Sequence, residues 1–169
     1  DKYGIMDKLM GQTGYGDWRV ETRDSVTKVL VDAMMGELGA VGDPLTGEAK
    51  AAITKALTGD APDKPASASR EQWKIIRKYA DIGVAITVKK DPWFNAKPST
   101  VAIDGRVYMQ SYDSEWHSYA LSERAGQNVR DYQWRAPGEW FADLYGVLWM
   151  TNKPPPAGVG SALARWFPT

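Results

Sequence analysis

At 169 residues the chain can build one domain with a real core, and two would be a stretch. Its 21 basic and 21 acidic residues cancel, so no net field draws in nucleic acid or anionic lipid. With no cysteine, disulfides, thiolate chemistry and cysteine-ligated metal are removed together. No apolar run approaches the roughly 18 residues of a membrane span. The opening Asp1-Lys2-Tyr3 carries neither Met nor a secretory pattern, and the expectation is a start that has been trimmed or processed.

Ile5, Met6, Leu9 and Met10 repeat at helical spacing and predict a short helix ending at Gly11. Gly11 to Asp17 is rich in turn formers and reads as a loop. Its glycines lack the Lys-Ser/Thr ending of a phosphate-binding loop. Val26, Val29, Leu30, Ala33 and Met34 predict a helix capped by Asp24 or Ser25 and stopping near Gly36 or Gly39. Gly42-Asp43-Pro44 is a turn. An Ala-rich helix follows over Glu48 to Leu57, closed by Gly59.

Residues 60–69, with two Pro among Ala and Ser, read as an exposed linker within a single domain spanning 1–169. Trp73, Ile76, Arg77 and Ala80 set a helix over Glu71 to Ala80. Val84 to Val88 is β-branched and predicts a strand, and Pro92 to Pro98 a loop. Asp104-Gly105 between apolar neighbours signals a hairpin. Tyr108, Gln110 and Tyr112 alternate with their neighbours as in a half-buried strand. Ser118 to Ala125 reads as a helix, broken at Gly126-Gln127-Asn128. The fold class is therefore α+β, mostly helical, with a small antiparallel strand region around residues 84–112.

Eight Trp and eight Tyr, most of them after Trp73, exceed what such a chain ordinarily carries. Side chains of this kind build cores with polar tips, or surfaces that grip peptide or sugar. A Trp-rich core is the simpler expectation.

Pro137 suits the first turn of a helix running to Met150, and Glu139 falls in that turn, where the dipole favours an anion. The triple proline at 154–156 ends the segment, and Ala162 to Phe167 adds a final turn. Glu139 and Asp143, four residues apart, project from one helical face. By spacing alone they form either a solvated stripe or a pair aimed into a lined site.

The run Tyr132-Gln133-Trp134-Arg135-Ala136-Pro137-Gly138-Glu139-Trp140-Phe141-Ala142-Asp143-Leu144-Tyr145 adds a resemblance. It is similar to the Tyr-x6-Glu-aromatic-Phe-Ala-acid-x-aromatic segment of zincin metallopeptidases of the anthrax lethal-factor type. Similar segments occur in bacterial toxins and in effectors of contractile injection systems. The resemblance is strongest over residues 105–149 and implies a zincin-like domain. It makes Glu139 the third protein ligand to zinc and Tyr132 the hydrogen-bond donor to the substrate carbonyl in the transition state. Asp143, shorter than the family's usual second Glu, becomes an outer-shell partner. Tyr108, Trp116 and Tyr119 lie in a region implied to contact substrate. The implied activity is peptide-bond cleavage in a protein substrate by a secreted or injected enzyme.

The His-Glu-x-x-His pair that supplies the other two ligands and the base is not in this sequence. The one histidine, His117, is followed by no such pattern and reads as a packed or interface residue whose role stays open. Asp1 to Lys8 resembles the continuation of the family's active helix. Zinc is thus expected only if the upstream motif is present. The expected partners are a protein or peptide substrate and either the N-terminal remainder of the same polypeptide or the delivery machinery. Two alternatives stand beside this reading. One is a pseudo-zincin that serves as a non-catalytic interaction or assembly module. The other is a carbohydrate-active domain pairing Glu139 with Glu115, Glu123 or Asp113.

Overall fold

The structure, a computed structural model, describes residues 17–87, 97–127 and 130–150. The expected helix before Gly11, the glycine-rich loop up to Gly16, Val88, residues 92–96, Asn128, the triple proline and the turn at 162–167 lie outside them. The described residues form six α-helices, one 3-10 helix and one three-stranded antiparallel sheet, an α+β fold.

Strand β1 (Arg19–Glu21) leads directly into helix α1 (Arg23–Leu38). The cap of α1 is Thr22, not Asp24 or Ser25. Thr22 has the extended backbone a cap needs, and its hydroxyl accepts the Ser25 N–H at 3.0 Å. Ser25 Oγ accepts the Thr22 N–H in return, also at 3.0 Å, which closes the box. Val26, Leu30, Met34 and Leu38 recur every fourth residue as one buried stripe, and Gly39 closes the helix as expected.

Helix α2 (Thr46–Ala56) buries Ala49, Ala52, Ile53 and Ala56. Helix α3 (Arg70–Ala85) starts from a second reciprocal box between Ser69 and Gln72. Gln72 Nε2 also donates to the Asp43 carbonyl at 2.6 Å, tying the start of α3 to the turn before α2. A Cβ on Gly83 would lie 3.1 Å from Ala56 Cβ, so glycine lets α2 and α3 approach this closely. Most of residues 60–69 are exposed, though Ala68 is buried.

The strand expected at Val84 does not form. Helix α3 continues through Ala85, with Ile86 as its cap. Ile76, Ala80, Gly83 and Ile86 follow a helical period into the core, and that packing overrides β-branched preference.

A short helix α4 (Pro98–Val101) precedes the Asp104-Gly105 turn. Both turn residues have positive φ, 49° and 75°, as the mirror-image two-residue turn requires. The Asp-Gly signal makes a tight turn closed by a single bridge, Ile103 to Arg106. The longer hairpin pairs β2 (Arg106–Gln110) with β3 (Trp116–Ala120), with Val107 opposite Tyr119 and Met109 opposite His117. Strand β1 adds to the other side of β3, with Val20 opposite His117. The strands thus lie at 19–21, 106–110 and 116–120, not across 84–112, and Tyr112 falls past the end of β2.

The helix expected from Ser118 begins only at Leu121, as α5 (Leu121–Gln127). Strand β3 is central, and its first four residues are all buried. A strand covered on both faces loses the alternation that marks strands in sequence.

One aromatic cluster clamps the C-terminal elements to this sheet. Trp18 stacks on Trp134 with centroids 6.0 Å apart and an interplanar angle of 22°. Tyr119 of β3 lies 5.1 Å from Trp18 and 4.7 Å from Trp134. Trp18, Trp134 and Trp140 are all fully buried. Much of the Trp excess is therefore core.

Candidate functional site

Trp134 belongs to the 3-10 helix Asp131–Arg135, which leads through Ala136 into helix α6 (Pro137–Met150). Three residues per turn put Tyr132 and Trp134 on different sides of so tight a helix. Trp134 enters the core, and Tyr132 stays 41% exposed. Pro137 occupies the first position of α6, where its missing N–H costs nothing. This geometry carries Glu139 into reach of Tyr132, whose hydroxyl donates to Glu139 Oε1 at 3.1 Å.

Asp143, one turn further along α6, is held differently. Arg130 Nε donates to Asp143 Oδ2 at 2.6 Å, and Arg130 Nη2 donates to the other oxygen. This is a two-pronged guanidinium–carboxylate pair, the strongest geometry such a pair has. The Asp143 side chain is only 9% exposed. Glu139 and Asp143 therefore share a helix face but not a partner.

The other residues singled out from sequence lie on the sheet. Tyr108 of β2 is half-buried, and burial raises its phenol above the ordinary range. Trp116 is buried at the start of β3. Tyr119 sits in the core, and its hydroxyl accepts from Arg124 at 2.8 Å. Ser118 is fully buried and donates to Glu21 at 2.7 Å, and Glu21 also accepts from Ser25 at 2.6 Å. One carboxylate thus ties β1, β3 and α1 together. Sequence reasoning gave no role to Glu21, Arg130 or Arg135, whose contacts come from elements distant in the chain or from loop geometry. The alternation Arg130-Asp131-Tyr132 with Arg135 was the one visible hint.

His117 is buried. Its Nδ1 lies 2.9 Å from Ser111 Oγ, and its ring meets Trp18 edge-on at 6.3 Å. Burial lowers its pKa and outweighs Asp113, Glu115 and Glu21, which favour the charged form. The unfolded chain therefore takes up this proton first, and stability falls as pH drops below about 6.5 towards the depressed folded value. Glu37 acts in a separate window. Lys78 and Tyr79 each donate to it at 2.6 Å and lower its pKa, so that contribution is lost only below the ordinary 4.5. We expect Tm to drop between pH 6.5 and 5. In thermal scans His117→Asn should flatten that slope, and an unchanged slope would reject the assignment.

Catalytic zinc takes three protein ligands and an open position. Among the described residues no group of three His, Cys, Asp or Glu side chains gathers as metal ligands would. Glu139 suits one ligand, with Oε1 turned to Tyr132. Asp143, engaged by Arg130, is not disposed to receive an imidazole N–H. These residues alone do not make a zinc site. Comparison with protein families, with curated proteins and with solved structures finds no match to this chain.

Proposed function

We propose that this chain is the C-terminal part of a zinc metallopeptidase of the lethal-factor type, secreted or injected by a bacterium and cleaving peptide bonds in a protein. The observation that carries the reading is the Tyr132–Glu139 hydrogen bond. The two residues that the resemblance assigns to one centre lie 3.1 Å apart, at the start of a helix held by buried Trp134 and Trp140. Glu139 would be one zinc ligand. The two imidazole ligands and the base would come from an upstream motif. When bound, zinc supplies Lewis acidity and an activated water. Within this chain, Tyr132 contributes a donor, and Asp143, one turn further along α6, is held by Arg130. No helix among the described residues is long and apolar enough to cross a membrane.

Metal analysis of the full-length gene product tests this reading. We expect one zinc per chain. Glu139→Ala should weaken zinc by more than the roughly 10- to 100-fold that follows loss of an outer-shell partner. Zinc retained in Glu139→Ala, or a full-length product that binds none, would end the reading.

A second reading, the non-catalytic interaction module, is favoured by two specific observations. Arg130 occupies both Asp143 oxygens, and the one histidine is buried against Trp18. It predicts a zinc-free full-length protein.

A further inference from the structure

Arg130 does two things at the entry to the 3-10 helix. Its backbone is extended, and its carbonyl accepts the Gln133 N–H at 3.2 Å, which opens that helix. Its side chain leaves the helix and crosses to α6. There Nε and Nη2 take one oxygen each of Asp143, thirteen residues further along the chain. The Asp143 side chain is 9% exposed and that of Arg130 63%, so the fork closes from the solvent side over a carboxylate already set into the structure.

The same guanidinium lies 5.3 Å from the Tyr132 ring centroid, within the about 6 Å over which a cation attracts a ring. One planar group therefore meets a carboxylate on α6 and a ring on the 3-10 helix. Tyr132 is partly exposed, and an exposed side chain ordinarily hops between rotamers. Here Arg130 flanks its ring, Arg135 lies 5.6 Å from it, and its hydroxyl reaches Glu139 at 3.1 Å. Glu139 and Asp143 share one face of α6, so a group anchored on Asp143 stands one turn from Glu139. The anchored group is the guanidinium, and the ring beside it carries the hydroxyl that Glu139 accepts.

A simpler role would be to tie the 3-10 helix to α6, as buried Trp134 and Trp140 do from the core. The geometry asks for more than that. A lysine would bring the same charge to Asp143, whereas a planar fork engages both carboxylate oxygens and offers a face to a ring at once.

We propose that Arg130 is a positioning residue: anchored on Asp143, it holds the Tyr132 ring so that the hydroxyl stays on Glu139. It acts through Tyr132 and has no direct part in the chemistry. The assignment rests on the reading above for what the Tyr132–Glu139 pair does in catalysis, and on the contacts alone for how the pair is held.

NMR of the whole chain, read at the Tyr132 side chain, tests it. The wild type should show one dominant χ1 rotamer and a nuclear Overhauser contact from the Tyr132 ring to Glu139. Arg130→Lys keeps the charge beside Asp143, so the urea midpoint should stay near that of the wild type. It should nevertheless mix the Tyr132 rotamers and lose the contact. Asp143→Ala alters neither member of the Tyr132–Glu139 bond, yet by freeing Arg130 it should do the same. In the zinc-loaded full-length enzyme, Arg130→Lys should lose up to about 100-fold in kcat with KM nearly unchanged. A mere structural tie would lower the midpoint and leave the Tyr132 signature and kcat as they were.

Mixed Tyr132 rotamers in the wild type overturn the proposal, as does an unchanged signature in Arg130→Lys or in a folded Asp143→Ala protein. So does wild-type kcat in a zinc-loaded Arg130→Lys enzyme. The two readings fail separately. A full-length product without zinc sinks the zinc reading alone, since the Tyr132 signature still decides how the pair is held. A zinc-loaded enzyme whose Tyr132 is indifferent to Arg130→Lys sinks this one alone.

Discussion

Trp134→Ala is expected to lower the stability of the fold by about 3–5 kcal/mol, the range for truncating a large aromatic in a packed core. Against a typical total of about 5–15 kcal/mol, that is a large share. Trp134 is fully buried and contacts Trp18 and Tyr119, so its removal unclamps the 3-10 helix and α6 from β3 at once. The measurement is the urea midpoint, with the slope unchanged if the native state keeps its compactness. Trp134→Phe keeps a ring against Tyr119 and should lose much less. A midpoint shift worth under about 1 kcal/mol in Trp134→Ala would mean that the cluster does not anchor the site.

Tyr132→Phe tests chemistry with little change in stability. Tyr132 is 41% exposed and loses only its hydroxyl, so the fold should stay within about 0.5 kcal/mol of wild type. Under the metallopeptidase reading, the full-length Tyr132→Phe enzyme should keep its zinc. It should lose about 100- to 1000-fold in kcat, as other sites do when one donor to a developing oxyanion is removed. The loss should appear in kcat with KM nearly unchanged, because the hydrogen bond matters most once charge has formed. A Tyr132→Phe enzyme with wild-type kcat would assign the hydroxyl to holding Glu139 and nothing more. A Tyr132→Phe protein that loses zinc would make its bond to Glu139 part of the metal site.

The residues of α1, α2 and α3 were legible because each carries its own period. Val26, Leu30 and Met34, or Ile76 and Ala80 with half-buried Trp73, mark the core-facing stripe without reference to anything distant. The Asp104-Gly105 turn was legible for a similar reason, since two consecutive positive φ angles favour that pair. Errors came where one signal served two structures. Val84 to Thr87 has strand composition, yet Ile86 completes the core stripe of α3. Trp116 to Tyr119 shows no alternation because β1 and β2 cover both of its edges and its faces are buried.

The candidate site divides along the same line. Tyr132, Glu139 and Asp143 could be picked out from a local segment, seven and four residues apart, with helix geometry to relate the last two. Their partners could not. The approach of Arg130 to Asp143 and the burial of Tyr119 and His117 depend on how the 3-10 helix docks on a sheet assembled from residues 19–21, 106–110 and 116–120. By itself the sequence determined the α+β class, the three early helices, the tight turn and the acidic start of α6, because those follow from backbone preference and periodicity within a few residues. Only the tertiary structure decided which carboxylate meets a phenol and which a guanidinium, because those short-range pairs are set by how Trp134 docks the 3-10 helix on Trp18 and Tyr119, a closure between distant segments that no local pattern encodes.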